Sequence, residues 1–124
     1  MTAGQILLVD DDADLRESLQ LVLEMKGYTV ACARDGADAL ARLRERPLPS
    51  VVLLDLMMPG MNGIEFREQQ LADARLRDLP VVLLTGAGAH AVDPRLAAGS
   101  VLLHKPFDFD RLFDLLHSIC APKP

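Results

Sequence analysis

The polar residues with the most chemical promise in this chain stand directly after runs of branched apolar residues. Asp10, Asp11 and Asp12 follow Ile6-Leu-Leu-Val9, and Asp55 follows Val51-Val-Leu-Leu54 shortly before a Met58-Pro-Gly60 turn. Thr85 follows Val81-Val-Leu-Leu84, and Lys105 follows Val101-Leu-Leu-His104. Carboxylates brought together repel one another unless a cation compensates them. A donor set made only of oxygens, with no His or Cys beside it, suits Mg²⁺, or Mn²⁺, rather than zinc. Magnesium uses one or two carboxylates and keeps positions for water and a phosphoryl oxygen. A carboxylate next to such an ion can attack phosphorus and form an aspartyl phosphate, with positioning and charge neutralisation providing the catalysis. Asp55 is the candidate nucleophile, Lys105 the group that neutralises a phosphoryl oxygen, and Thr85 a hydrogen-bond donor to another.

These residues are far apart in sequence, so the elements carrying them must bring them together. Short apolar runs alternate with helical periodicity, the signature of repeated βαβ units. A first strand, Ile6 to Val9, precedes a helix with Leu15, Leu19, Val22 and Leu23 on one face, which stops near Gly27. Tyr28 to Ala33 is the second strand, and Asp35 caps a helix from about Gly36 to Arg46 that Pro47 and Pro49 close. After the third strand, Val51 to Leu54, a helix is expected from about Gly63 to Arg77 with Ile64, Phe66, Leu71 and Ala74 inward and Asn62 as cap. Val81 to Leu84 is the fourth strand. A short helix follows Asp93 and Pro94 and is cut off by Gly99. Val101 to His104 is the fifth strand, and an amphipathic helix runs from about Asp110 to Cys120 with Leu112, Phe113, Leu115, Leu116 and Ile119.

Four of the strands are continuously apolar, as strands covered by helices on both faces should be, whereas Thr29 and Cys32 mark the second as an edge. The expectation is an α/β fold around a five-stranded parallel sheet. All carboxyl ends of such a sheet share one edge, where open α/β sheets bind ligands. If the first and third strands are neighbours, Asp10, Asp11 and Asp55 meet there.

Composition narrows the rest. At 124 residues, half hydrophobic and a quarter charged, the chain has the size and make-up of one globular domain. We therefore expect a single domain over residues 1–124 with no output domain, residues 121–124 being a tail or the start of a linker. Eighteen acidic against thirteen basic residues give a net charge of −5 without a cationic stripe, so direct nucleic-acid binding is not expected. No apolar run approaches the roughly 20 residues that span a bilayer, and the N-terminus has no signal-peptide pattern. A cytoplasmic protein without membrane contact is expected. Cys32 and Cys120 match no metal or redox spacing and read as buried or half-buried thiols in a reducing compartment.

The segments Leu7-Leu-Val-Asp-Asp-Asp12, Asp55-Leu-Met-Met-Pro-Gly-Met-Asn-Gly63, Leu84-Thr-Gly86 and Lys105-Pro-Phe107, in this order and at these intervals, closely resemble the receiver domain of bacterial two-component response regulators. The resemblance implies a flavodoxin-like, doubly wound sheet of order 2-1-3-4-5 with helices on both faces; the chemotaxis member of that family is a known example of this order. It further implies that Asp55 is the phosphoacceptor, that Asp11 binds Mg²⁺ directly and Asp10 largely through water, and that the Met57 backbone carbonyl completes the metal site. Lys105 would bind the phosphoryl group through a turn whose Lys105-Pro106 bond is cis in the family, and Thr85 would be the switch hydroxyl. The phosphoryl donor would be a histidine kinase or histidine phosphotransfer protein. The output would be a downstream partner protein or an excised output domain, and the only catalysis would be of the chain's own phosphorylation and dephosphorylation. Two departures stand out: Leu102 occupies a switch position that is aromatic in many relatives, and the stretch from Gly99 to Lys105 is one residue shorter than usual.

Plainer readings compete for single residues. Asp12 is a helix cap, and Arg42 to Arg46 a solvated helix face. Met58 packs beneath its loop and His104, just before the lysine, has a structural or exposed role; His90 and His117 have no partner pattern, so the chain is not a histidine phosphotransfer module. For the whole set, one rival is a scaffold that binds partners without phosphorylation, against which the intact acidic set argues. Another is a small Mg²⁺-dependent phosphatase with an aspartyl intermediate. Such enzymes usually carry nucleophile and acid/base on the first strand as Asp-x-Asp, with a cap over the substrate, whereas here the candidate nucleophile is on the third strand and no cap segment is expected.

Overall fold

A computed structural model describes residues 4–45, 48–55, 63–85, 101–104 and 108–120. The elements in chain order are β1 (Gly4–Val9), α1 (Ala13–Met25), β2 (Tyr28–Ala33), α2 (Gly36–Glu45), β3 (Val51–Asp55), α3 (Gly63–Ala72), β4 (Val81–Thr85), β5 (Val101–His104) and α4 (Phe109–Cys120). All five strands are parallel, in the order β2-β1-β3-β4-β5. This is the expected sheet and order, with β2 at an edge. The short helix expected after Asp93 lies outside the described residues.

Alternation along the strands divides the core into two layers. Ile6, Leu8, Val51, Leu53, Val82, Leu84 and Leu103 pack with Leu19 and Leu23 of α1 and Leu112 and Leu116 of α4. Leu7, Val9, Val52, Leu54, Val81 and Leu83 pack with Ala39, Leu40 and Leu43 of α2 and Phe66 of α3. Each central strand is therefore buried on both faces, which is why β1, β3 and β4 read as unbroken apolar runs rather than alternating ones.

Local chemistry sets the helix ends. The Asp12 carboxylate accepts from the backbone N–H groups of Asp14 and Leu15 and so caps α1. Asp35 accepts from Asp38 N–H at 2.8 Å at the start of α2, and Asp108 does the same for Asp110 at α4. Gly27, at φ +97°, takes the left-handed conformation that ends α1 and that other residues adopt only at a cost.

The third helix corrects the expectation. It stops at Ala72 rather than near Arg77, and Leu71 and Ala74, expected inward, are exposed. At 100° per residue a continued helix would set Leu79 roughly opposite Phe66. The chain instead leaves the helix in a series of turns, with Asp73 N–H bonded to Gln70 O, Arg77 N–H to Asp73 O and Leu79 N–H to Leu76 O, which buries both Leu76 and Leu79. The hinge of this arrangement is polar. Fully buried Gln70 donates from Nε2 to the carbonyls of Leu76 at 2.9 Å and Leu79 at 3.0 Å, while its Oε1 accepts from Nη1 of buried Arg67 at 2.7 Å. Removing the amide but keeping the volume deprives two buried carbonyls and a guanidinium N–H of this partner. Gln70→Leu should therefore cost roughly 2–4 kcal/mol in stability by urea denaturation. An unchanged midpoint would show that the network contributes little.

Tyr28 is buried and Cys32 and Cys120 are half-buried, and all three respond to alkaline pH. Burial pushes the Cys32 thiol above its ordinary value of 9.0, with Arg16 and Arg42 opposing the shift and Glu24 adding to it. Cys120 is raised likewise by burial, against a hydrogen bond from Ser50. Burial, and secondarily Cys120, raise Tyr28 above 10.0. A raised value means that the fold favours the protonated form. The associated stability is complete below the ordinary value and is lost as pH rises through the folded one. Urea midpoints should accordingly hold level from about pH 7 to 8.5 and fall progressively above about 9. Substituting Cys32 and Cys120 by Ala should flatten the fall.

Candidate functional site

The site forms where β1 and β3 end side by side. Val9 pairs with Leu54 in the parallel register, so the next step along both strands sets Asp10 beside Asp55. Both continue the alternation of the Ile6-Leu8 and Val51-Leu53 face and so lie on the α1 side of the sheet. Asp10 is completely buried and Asp55 is 6% exposed, whereas Asp11 is open to solvent. One carboxylate oxygen from each of Asp10, Asp11 and Asp55 lies within 4.8 Å of the others.

Hydrogen bonds hold the loop that carries two of these acids. Asp10 N–H donates to Ala33 O at 3.2 Å, joining the end of β1 to that of β2. Its own Oδ1 accepts from Asp12 N–H at 3.0 Å, and Asp12 in turn caps α1. Arg16, one turn into α1 and half-buried, donates from Nη1 to the Asp10 carbonyl at 2.6 Å. This role of Arg16 was not foreseen from the sequence, because its contact is to backbone, across a loop, and leaves no trace in periodicity. An arginine one turn after an acidic cap is the only available signal.

The donor chemistry fits a small hard cation. Three carboxylate oxygens converge with no His or Cys among them, a set suited to Mg²⁺ or Mn²⁺. A cation held there would offset part of the cost of burying the Asp10 and Asp55 carboxylates side by side.

Of the other expected site residues, Thr85 closes β4, one position beyond Leu84, the partner of Asp55, and pairs with His104. Leu102 sits on edge strand β5 opposite Leu83. Met57, Lys105 and the Lys105-Pro106 bond lie outside the described residues.

A family model described as the response regulator receiver domain matches residues 6–117. Among curated proteins, the phosphate regulon transcriptional regulatory protein PhoB of Escherichia coli is 42% identical over 86 residues, 69% of this chain and 37% of PhoB. The DNA-binding response regulator MtrA of Mycobacterium tuberculosis is 48% identical over 81 residues, 65% of this chain and 34% of MtrA. The chain thus spans about a third of the length of these relatives. The name of MtrA also runs against a blanket expectation of no nucleic-acid contact, although the shared third is the receiver portion. Among solved structures, the response regulator TrrA of Thermotoga maritima, in complex with Mg²⁺-BeF, superposes with a TM-score of 0.81 at 29% identity, covering 96% of this chain and 99% of that one. Because the family match takes in the acidic loop, all five strands and most of the last helix, the chain belongs to the response regulator receiver domains, the phosphoacceptor modules of two-component signalling.

Proposed function

We propose that Asp55 is the phosphoacceptor and that Asp10, Asp11 and Asp55, with the Met57 carbonyl, hold Mg²⁺. The observation that carries this reading is the convergence of buried Asp10 and Asp55 with exposed Asp11 within 4.8 Å at the carboxyl edge of the sheet. The Mg²⁺-BeF complex of TrrA supports the same ion here. A bound divalent cation neutralises charge on the phosphoryl oxygens. The chain's own residues do the rest. An Asp55 carboxylate oxygen, held by a strand buried on both faces, forms the new bond to phosphorus as the bond from phosphorus to the donor breaks and the donor leaves with that electron pair. Lys105 and Thr85 bind phosphoryl oxygens and so read whether the group is present.

The donor is a histidine kinase or histidine phosphotransfer protein, and the phosphorylated form changes binding to a downstream protein. Residues 1–124 act as one receiver unit whose catalysis is confined to its own phosphorylation and dephosphorylation. No described helix is long and apolar enough to cross a membrane, which is consistent with a cytoplasmic setting. The acidic balance of the unit assigns any DNA contact to output regions like those implied by the name of MtrA. The test is incubation with acetyl phosphate and Mg²⁺ followed by intact mass measurement. One acid-stable, base-labile phosphoryl adduct, absent when the metal is chelated, is expected. No adduct from the folded protein would overturn the reading.

A further inference from the structure

We infer that Arg16 is a positioning residue that presets Asp11 for the metal; the inference rests on the site reading above and extends it. Asp11 is exposed, and among the described residues its carboxylate accepts no hydrogen bond, so what places it near the site is the backbone from which it swings. That backbone is fixed from both sides. On one side, the Asp10 carbonyl that Arg16 grips at 2.6 Å belongs to the peptide plane whose N–H is that of Asp11. On the other, Asp12 N–H is bound to Asp10 Oδ1 and the Asp12 side chain is committed to capping α1.

Arg16 is itself anchored, since its N–H makes the first backbone bond of α1 to Asp12 O at 2.9 Å and Leu19 and Leu23 of the same helix are fully buried. The guanidinium therefore acts as a clasp between a rigid helix and the 10–11 peptide. With the clasp closed, the end of β1 and the start of α1 hold the Asp11 backbone in place beside Asp10 and Asp55 before any ion arrives, which narrows the positions its carboxylate must search. Outer partners of this kind commonly change metal affinity tenfold or more when removed.

Charge and position make opposite predictions for a variant at this residue. A guanidinium close to a cation site repels the ion, so an effect of charge alone would make Arg16→Gln bind Mg²⁺ more tightly. Positioning predicts weaker binding. Mg²⁺ affinity is measured by titration calorimetry at fixed ionic strength for wild type, Arg16→Gln and Arg16→Lys, each checked for folding by urea denaturation. The expected result is a dissociation constant roughly tenfold higher in Arg16→Gln, partly restored in Arg16→Lys, which can still donate one hydrogen bond to the Asp10 carbonyl. Unchanged or tighter binding in Arg16→Gln overturns the clasp.

If wild type itself binds no Mg²⁺, the site reading has failed, and the clasp is judged without metal by amide hydrogen exchange. Exchange at Asp11 and Asp12 must then be faster in Arg16→Gln while Leu53 in β3 is unchanged. Equal exchange at Asp11 and Asp12 overturns it.

Discussion

Replacing Asp55 by Asn should abolish phosphoryl uptake from acetyl phosphate while leaving the fold intact. The side chain keeps its shape and its place at the end of β3, whose Val51 to Leu54 are fully buried. The anionic oxygen that attacks phosphorus is lost. An amide is a poor nucleophile, and nothing in positioning or charge neutralisation can replace the reacting atom. By intact mass the wild-type adduct should be present and the Asp55→Asn adduct missing, with superimposable circular dichroism spectra. An undiminished adduct in the variant would move the chemistry to another residue.

The second large effect concerns the metal. Asp11→Ala removes the one carboxylate of the three that is open to solvent and so best able to exchange a hydration shell for an ion. Loss of outer partners alone costs 10- to 100-fold in metal affinity, so loss of a ligand should weaken Mg²⁺ binding by at least about 100-fold. Because Mg²⁺ binds the folded state, each tenfold by which its concentration exceeds the dissociation constant adds about 1.4 kcal/mol of stability. Mg²⁺ should thus raise the urea midpoint of wild type and leave that of Asp11→Ala where it was. Lys105→Ala should reduce Mg²⁺ binding far less than this, or increase it, since it removes a positive charge. Equal metal binding by Asp11→Ala and wild type would mean that the ligand set is wrongly chosen.

The placement of Asp10, Asp11 and Asp55 at one edge of the sheet was legible in the sequence, for an identifiable physical reason. A parallel sheet buries its central strands on both faces, so Ile6 to Val9, Val51 to Leu54 and Val81 to Leu84 appear as unbroken apolar runs whose polar successors mark the carboxyl edge. Strand order was different. Periodicity indicates that five strands run parallel but not which are neighbours, and the placement of β1 beside β3, on which the meeting of Asp10 and Asp55 depends, came from the family resemblance. Helix starts were legible where a single side chain decides them, as Asp12 and Asp35 do. The end of α3 was not, because the decision lies in tertiary contacts: Gln70 binds carbonyls six and nine residues ahead, and Leu76 and Leu79 leave the helical stripe to reach the core. Arg67 and Gln70 look in sequence like ordinary polar residues of a surface helix, and only the fold reveals that they are inside. Arg16 escaped notice for a related reason, since it holds a main-chain carbonyl and not a side chain with a recognisable type.

If the carboxylate at the end of β3 receives the phosphoryl group, locating that group in the chain shows it. The protein is phosphorylated with acetyl phosphate and Mg²⁺ and reduced with borohydride, which converts an aspartyl phosphate to homoserine. Digestion and peptide sequencing by mass spectrometry then identify the converted residue. Homoserine at position 55, dependent on Mg²⁺, is the predicted result. Homoserine at position 10 or 11 with Asp55 unmodified, or a phosphoryl group carried only on a histidine, would contradict it.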